Sequence, residues 1–304
     1  MRRGVRRAGA AALAAAALCA VAADACPIEP LRAGDAAWSQ RAVGANDDGR
    51  AADAHVLRAV DAYERAVAEA PECLEAHGKL LHAWYFAADH AARDDEQRRA
   101  RLDAGVRASE RALAAIAARL DGAQPAAVYD PRRLRRVLPP HDQVAAARAH
   151  FWSAVVVASW ARAHGVLDAV RTGAATRVRD SATVTAALEP GFEAGGAHRL
   201  LAALHGELPR IPLLTPWVDG KRALEEAERA YEIAPEHPSN QLCLSLVLLD
   251  DVSERRGEAL ALLRRVASLE PAERRVVEDR ALRRMARERL AREEAATAPP
   301  PTQR

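Results

Sequence analysis

The stretch KRALEEAERAYEIAP, residues 221–235, sets Ala223, Ala227, Ala230 and Pro235 at relative positions 0, 4, 7 and 12. Residues three and four apart lie one above the other on a helix, so the three alanines share one face. Small side chains there let a second helix approach closely. The proline ends the helix because it has no N–H to donate and its ring clashes with the preceding turn. The same spacing recurs as Ala59–Tyr63–Ala66–Pro71 and as Ala259–Leu263–Val266–Pro271. Three helices built for close packing, each stopped by proline, predict an all-α chain of repeated helix pairs.

This is the second-helix pattern of a tetratricopeptide repeat, so the expected fold is a TPR-like helical-repeat domain, an α-α superhelix. Pro235 to Pro271 is a step of 36 residues, close to the ideal 34. Pro190 to Pro235 is 45, with a proline-rich turn over 208–217 absorbing the excess. Leu80, Leu81 and Trp84 occupy first-helix positions if the register continues past Pro71. Stacked helix pairs present concave surfaces, which favours recognition over catalysis.

Composition agrees. Half the residues are hydrophobic but aromatics make up only 4%, so the core must come from close packing of alanine-rich helices. Lys79 and Lys221 are the only lysines, and charges of both signs alternate along the predicted helices, the pattern of solvated faces. The N-terminus reads as a leader. Arg2, Arg3, Arg6 and Arg7 precede an apolar run from Ala8 to Ala22, too short to span a bilayer, and Ala23-Asp24-Ala25 offers an A-x-A cleavage site. The arginine pairs lack the hydrophobic follow-on of a twin-arginine signal, so the general secretory route is expected. Removing residues 1–25 moves the formal charge from +2 to −1, which argues against nucleic acid as a partner. The organisation expected is a signal peptide over 1–25, a helical domain over 26–294 and a disordered tail over 295–304.

Cys26 would then stand at the new N-terminus. Two readings are open: a lipid anchor, although Ala23 and Asp24 make a poor lipobox, or a disulfide with Cys73, which export permits. Cys243 falls on an apolar helix face as a small hydrophobe.

Along the chain, helices are expected over 52–70, from Leu74 to about Ala88, and from a capping box at Asp94-x-x-Gln97 to about Leu120. Four prolines and the Arg132–Arg136 run make 121–142 a loop holding one short helical turn. Asp142 is the expected N-cap of a helix reaching His164, with Trp152, Val156 and Trp160 on its apolar stripe and Gly165 as its stop. A short helix near 166–172 and another ending at Pro190 follow. Beyond Gly191–Arg199, helices are expected over 200–208, 221–235 and 239–250. A last charged helix over 272–294 should bury Val276, Leu282, Met285 and Leu290.

The order Phe151-Trp152, Trp160, Gly165, Leu188-Glu189-Pro190-Gly191-Phe192, Gly195-Gly196, Arg199, Leu208-Pro209 and Ala223 through Pro235 resembles the T component associated with TRAP transporters. The likeness covers about half the chain closely, and its Gly-Gly…Arg…Leu-Pro…Ala…Pro succession is its most specific part. It implies an exported accessory protein that forms oligomers, notably trimers, and partners the periplasmic substrate-binding component or a small organic solute. Two departures stand out: Leu213-Leu214-Thr215-Pro216-Trp217 replaces a Gly-rich approach to the 221–235 helix, and the lipobox is poor. The alternative is a generic periplasmic scaffold for envelope proteins with no transport role.

Candidate binding residues are Trp152, Trp160, Gly195, Gly196 and Arg199. Each has a plainer reading. Tryptophans on one helix face are more often core, a Gly-Gly pair more often starts a helix, and Arg199 is more often a contact fixing the loop before it than a clamp for an anion. No phosphate loop, G-x-S-x-G elbow, dinucleotide fingerprint or metal-ligand spacing is present, and His77, His82 and His90 lie five and eight apart. No enzyme, cofactor or metal is expected.

Overall fold

The computed structural model describes residues 26–47, 49–120 and 125–297. The expected signal peptide, residues 1–25, and residues 298–304 of the expected tail lie outside the described residues. The described chain is all-α, with no strand in it. Its α-helices are α1 Ile28–Ser39, α2 Asp53–Glu69, α3 Leu74–Asp89, α4 Asp95–Ala118, α5 Pro131–Val137, α6 Pro140–His164, α7 Val166–Arg171, α8 Ala174–Leu188, α9 Gly196–Glu207, α10 Gly220–Ile233, α11 Pro238–Asp251, α12 Arg256–Ala267 and α13 Val276–Thr297.

The long helices pack in chain order, α4 passing directly to α6 across the short α5. Next-but-one contacts join α9 to α11 and α11 to α13. The small residues of the repeated spacing lie in these seams: Ala59, Ala66, Ala223, Ala227, Ala230 and Ala259 are all fully buried. The largest core runs between α2, α3, α4 and α6, and smaller clusters fill the C-terminal seams. The last helix returns to the start of the chain. Val277 of α13 packs with Val56, Phe86 and Ala91, Arg41 pairs with Glu278 at 2.9 Å, and Arg280 donates to the carbonyl of Asn46 at 2.6 Å.

Cys26 and Cys73 form a disulfide that ties the segment before α1 to the start of α3. A sulfur in that bond cannot also carry a thioether-linked lipid, so of the two readings of Cys26 the geometry holds the disulfide. Asp94 caps α4, accepting from the Gln97 amide at 2.8 Å, worth about 1 kcal/mol. Gln97 reaches back to the amide of Arg93 rather than that of Asp94, a one-residue variant of the expected box.

Several expectations are corrected. Asp142 is not an N-cap. Pro140 takes the first position of α6, where its missing N–H costs nothing. That places Asp142 third in the helix, within its first turn, buried, and paired with Arg119 at 2.6 Å. The stretch 121–142 holds more than one turn: a 3-10 turn over Pro125–Tyr129 and the two-turn α5, capped by Asp130 on the amides of Arg132 and Arg133. Helix α9 starts at Gly196, four residues before Leu200. On α13 the buried positions are Val277, Asp279 and Ala286, while Met285 is 48% exposed and Val276, Leu282 and Leu290 are half-buried. Asp279 is buried there because it accepts from Arg275 and from the amide of Ala272. The helix also continues through Thr297, past the expected boundary at 294. No helix of the described residues is long and apolar enough to cross a membrane.

Candidate functional site

Four helices, α2 among them through Tyr63, and one turn converge on a cleft of about 340 Å³. Helix α1 brings Asp35 and Trp38, α3 brings Glu75, Lys79 and His82, α6 brings Arg148 and Trp152, and the turn before α9 brings Phe192 and Glu193. Its floor begins a closed circuit of six rings. Trp38 meets His82 at 4.5 Å, His82 stacks on Trp152 at 3.6 Å, and Trp152 approaches Tyr85 at 5.7 Å. Tyr85 meets His90 at 5.6 Å, His90 meets Phe86 at 4.9 Å, and Phe86 returns to Trp38 at 5.2 Å. Offset and edge contacts at these distances stabilise aromatic clusters beyond the area they bury.

The circuit carries polar atoms that nothing satisfies. Among the described residues, the indole N–H groups of Trp38 and Trp152, the Tyr85 hydroxyl and the ring nitrogens of His82 and His90 have no hydrogen-bond partner. Of these residues Trp38, His82 and Trp152 line the cleft, and polar groups left open on a cavity wall invite a polar ligand or water. Burial, and then the charge of Arg41, holds the His82 imidazole neutral, well below its ordinary range. Burial also lowers the His90 pKa and raises that of the Tyr85 phenol. Neutral histidines offer one donor and one acceptor each, and the phenol stays protonated.

One wall is a charged network. Lys79 lies 2.8 Å from Asp35 and 2.9 Å from Glu75, and the Tyr63 hydroxyl donates to Asp35 at 2.7 Å. Burial pulls the Lys79 pKa down, but the hydrogen bonds to Asp35 and Glu75 outweigh it and the net shift is upward. Opposite stands Arg148, half-exposed, 5.4 Å above the Phe192 ring and 3.8 Å from Glu189.

The turn presenting Phe192 and Glu193 is strained. Glu193, Ala194 and Gly195 all take left-handed conformations, with φ of 49°, 55° and 83°. Such conformations cost non-glycine residues roughly 1–3 kcal/mol each and persist only when the surroundings hold them. Arg199 supplies the hold. It donates to the carbonyls of Glu193 at 2.8 Å and Ala194 at 3.0 Å, and to Asn240 Oδ1 at 2.6 Å. Asn240 in turn donates to Ala194 at 2.9 Å.

Gly196 has a steric role. A Cβ there would stand 2.6 Å from the ring of Phe151, which is itself set edge-on against Trp152 and Phe192. Gly196→Ala is therefore expected to lower stability by about 2 kcal/mol, as overpacking does. Gly206→Ala, where a Cβ meets only an ordinary 3.6 Å contact, should instead be neutral or stabilising by up to about 1 kcal/mol from helix propensity. Urea denaturation of the two variants reads this difference directly.

Of the five candidate residues, Trp152 lines the cleft, and Gly195, Gly196 and Arg199 build the turn beside it. Trp160 belongs elsewhere. Its N–H donates to Asp103 at 2.7 Å and its ring stacks on His164, two turns farther along α6. Sequence reading missed Trp38, His82, Tyr85 and His90. Part of the signal was present, since His82 and Tyr85 lie three apart on α3 and His90 caps its end, but the spacing was weighed only as a metal pattern. No family model matches the chain, and no curated protein matches it in sequence.

Proposed function

We propose that this chain is an exported, TPR-like accessory protein of a TRAP-type solute uptake system. In this reading the ring-lined cleft receives a small organic solute or a projecting element of the substrate-binding component. The observation that carries the reading is the cleft itself: an aromatic circuit with open donors, closed on one side by the Gly-Gly–Arg turn on which the family resemblance rests. Antiparallel helix pairs with next-but-one contacts are what a TPR-like superhelix requires. The disulfide suits an oxidising compartment. Homo-oligomerisation, as trimers, belongs to the same proposal.

Pull-down of tagged protein from periplasmic extract is expected to retain a substrate-binding protein, and light scattering to report an oligomer. Trp38→Ala, which opens one wall of the cleft, should reduce that capture at least tenfold with the oligomer intact. A strict monomer retaining only envelope-assembly proteins would sink the transport reading in favour of a generic scaffold.

A further inference from the structure

A second cavity, separate from the aromatic cleft, lies between α9, α11 and α13 and encloses about 470 Å³. Helices α9 and α11 run the same way, each being antiparallel to α10 between them. Arg199 and Ser239 therefore stand together at one end of the groove, and Glu207, Asp250 and Asp251 at the other. At 1.5 Å per residue the eight residues from Arg199 to Glu207 span about 12 Å. Between these ends α9 and α11 give an apolar wall, Ala202, Ala203, Leu242 and Leu246 with the Cys243 thiol among them, while α13 lines the groove with Met285 and with the charged Glu288, Arg289 and Arg292.

Arg199 is an unbalanced charge. Its three partners are two carbonyls and an amide oxygen, all neutral, and no carboxylate of the described residues lies within ion-pairing distance. Glu193 acts on it only through its charge, with no ion pair. Three hydrogen bonds leave two of its five N–H donors unfilled. Ser239, across the groove end, has a hydroxyl with no partner among the described residues. It also lies in the first turn of α11, which carries no acidic side chain, so the positive end of that helix adds to the guanidinium. A cation withdrawn from water is costly unless it is paired. The carboxylates at the far mouth do not serve: Asp250 is taken by Arg289 at 2.6 Å and Glu207 by Arg162 at 3.2 Å.

We infer that this groove binds a small monocarboxylate with an apolar body, its carboxylate received by Arg199 and Ser239 and its chain lying along Ala202, Leu242 and Leu246. The length suits a chain of about six carbons, whose extended span of roughly 8 Å fits the 12 Å groove. Arg199 then has two roles: on one edge it holds the strained turn, and on the other it faces the ligand. The assignment does not rest on the transport reading. Hexanoate binding without a captured partner, or a partner without hexanoate binding, tells the two apart.

Calorimetric titration of the full chain with sodium hexanoate, 1-hexanol and hexylamine tests it. Hexanoate is expected to bind at least tenfold more tightly than hexanol, and hexylamine not at all. Ser239→Asp would place a carboxylate beside Arg199 from within the groove. It should abolish hexanoate binding while raising Tm, which keeps the test open where Arg199→Gln releases the turn and fails to fold. Leu246→Trp, which fills the apolar wall, should remove binding with the fold retained. Equal affinity for hexanoate and hexanol, no binding of hexanoate at millimolar concentration, or unchanged binding in Ser239→Asp would each overturn the inference.

Discussion

Replacing Cys26 and Cys73 together with serine is expected to lower the unfolding free energy by about 3–4 kcal/mol. The bond joins residues 47 apart. In the chain-entropy account, closing a loop of that size removes about 4 kcal/mol of freedom from the unfolded chain. Little in the folded state offsets the loss. Segment 26–39 is short, and apart from the disulfide it is held to the body by Leu31, by the half-buried Trp38 and by the Asp35 contacts to Tyr63 and Lys79. Cys73 is nearly fully buried and its sulfur also accepts from the Ala76 amide at 3.4 Å, so the serine there inherits part of the capping role of α3. Urea titration of the double variant against Cys243→Ser checks this. The latter sets a hydroxyl in the apolar wall of the α9–α11–α13 groove and should cost only about 1 kcal/mol. Equal midpoints for the two variants would mean that α1 is held by packing alone. Loss of the tether should also loosen the cleft, because Trp38 rides on α1.

The second large effect is loss of stability in mild acid. His150 is fully buried in α6, with Nδ1 3.3 Å from Ser181 Oγ and Nε2 without a partner. Burial pushes its pKa from 6.5 down to about 4. The folded protein therefore refuses a proton that the unfolded chain accepts between those values. Its contribution is fully present above pH 6.5 and drains away as the pH falls towards 4. A displacement of this size is worth about 3 kcal/mol for one histidine. Burial shifts His77, His82 and His90 in the same direction. Denaturation at pH 7 and pH 4.5 should show a fall of several kcal/mol. In His150→Leu the difference between the two pH values should shrink by about 2–3 kcal/mol. A pH profile unchanged by that substitution would show that the other histidines carry the effect.

How much of this could be read in the sequence follows from the range of the interactions. Helix ends are local. The Asp94 cap, the Gly165 stop and the prolines after α2 and α10 act within a turn of themselves, and each stands where a one-dimensional reading places it. Asp130-Pro131 was equally local, a cap followed by a proline at the first helical position, and was hidden only by the density of prolines around it. The start of α6 was misjudged because a carboxylate looks like a cap until its partner is known. That partner, Arg119, is the C-cap of another helix, α4. The cleft is the extreme case. Trp38, His82, Trp152 and Glu193 come from four separate parts of the chain, and no periodicity announces that they will meet. The Gly-Gly–Arg turn was legible as a feature but not as a device. Besides Gly195, its left-handed residues are Glu193 and Ala194, which no propensity would put there, and they are held by an arginine and an asparagine whose roles appear only once α9 and α11 are side by side.

The return of α13 to the first loops changes how such an array can come apart. A stack in which each unit touches only its neighbours frays from its ends, one unit at a time. Here Arg41 is bonded to the carbonyl of Arg274 and to Glu278, more than 230 residues away in sequence. The terminal helix is thus clasped rather than free. Peeling it away breaks two seams at once, and forming the clasp closes a loop of more than 230 residues, an entropic cost that a seam between neighbours does not carry. Without α13 the array is an open strip of helices with one edge bare, and with it the strip closes on its own first loops.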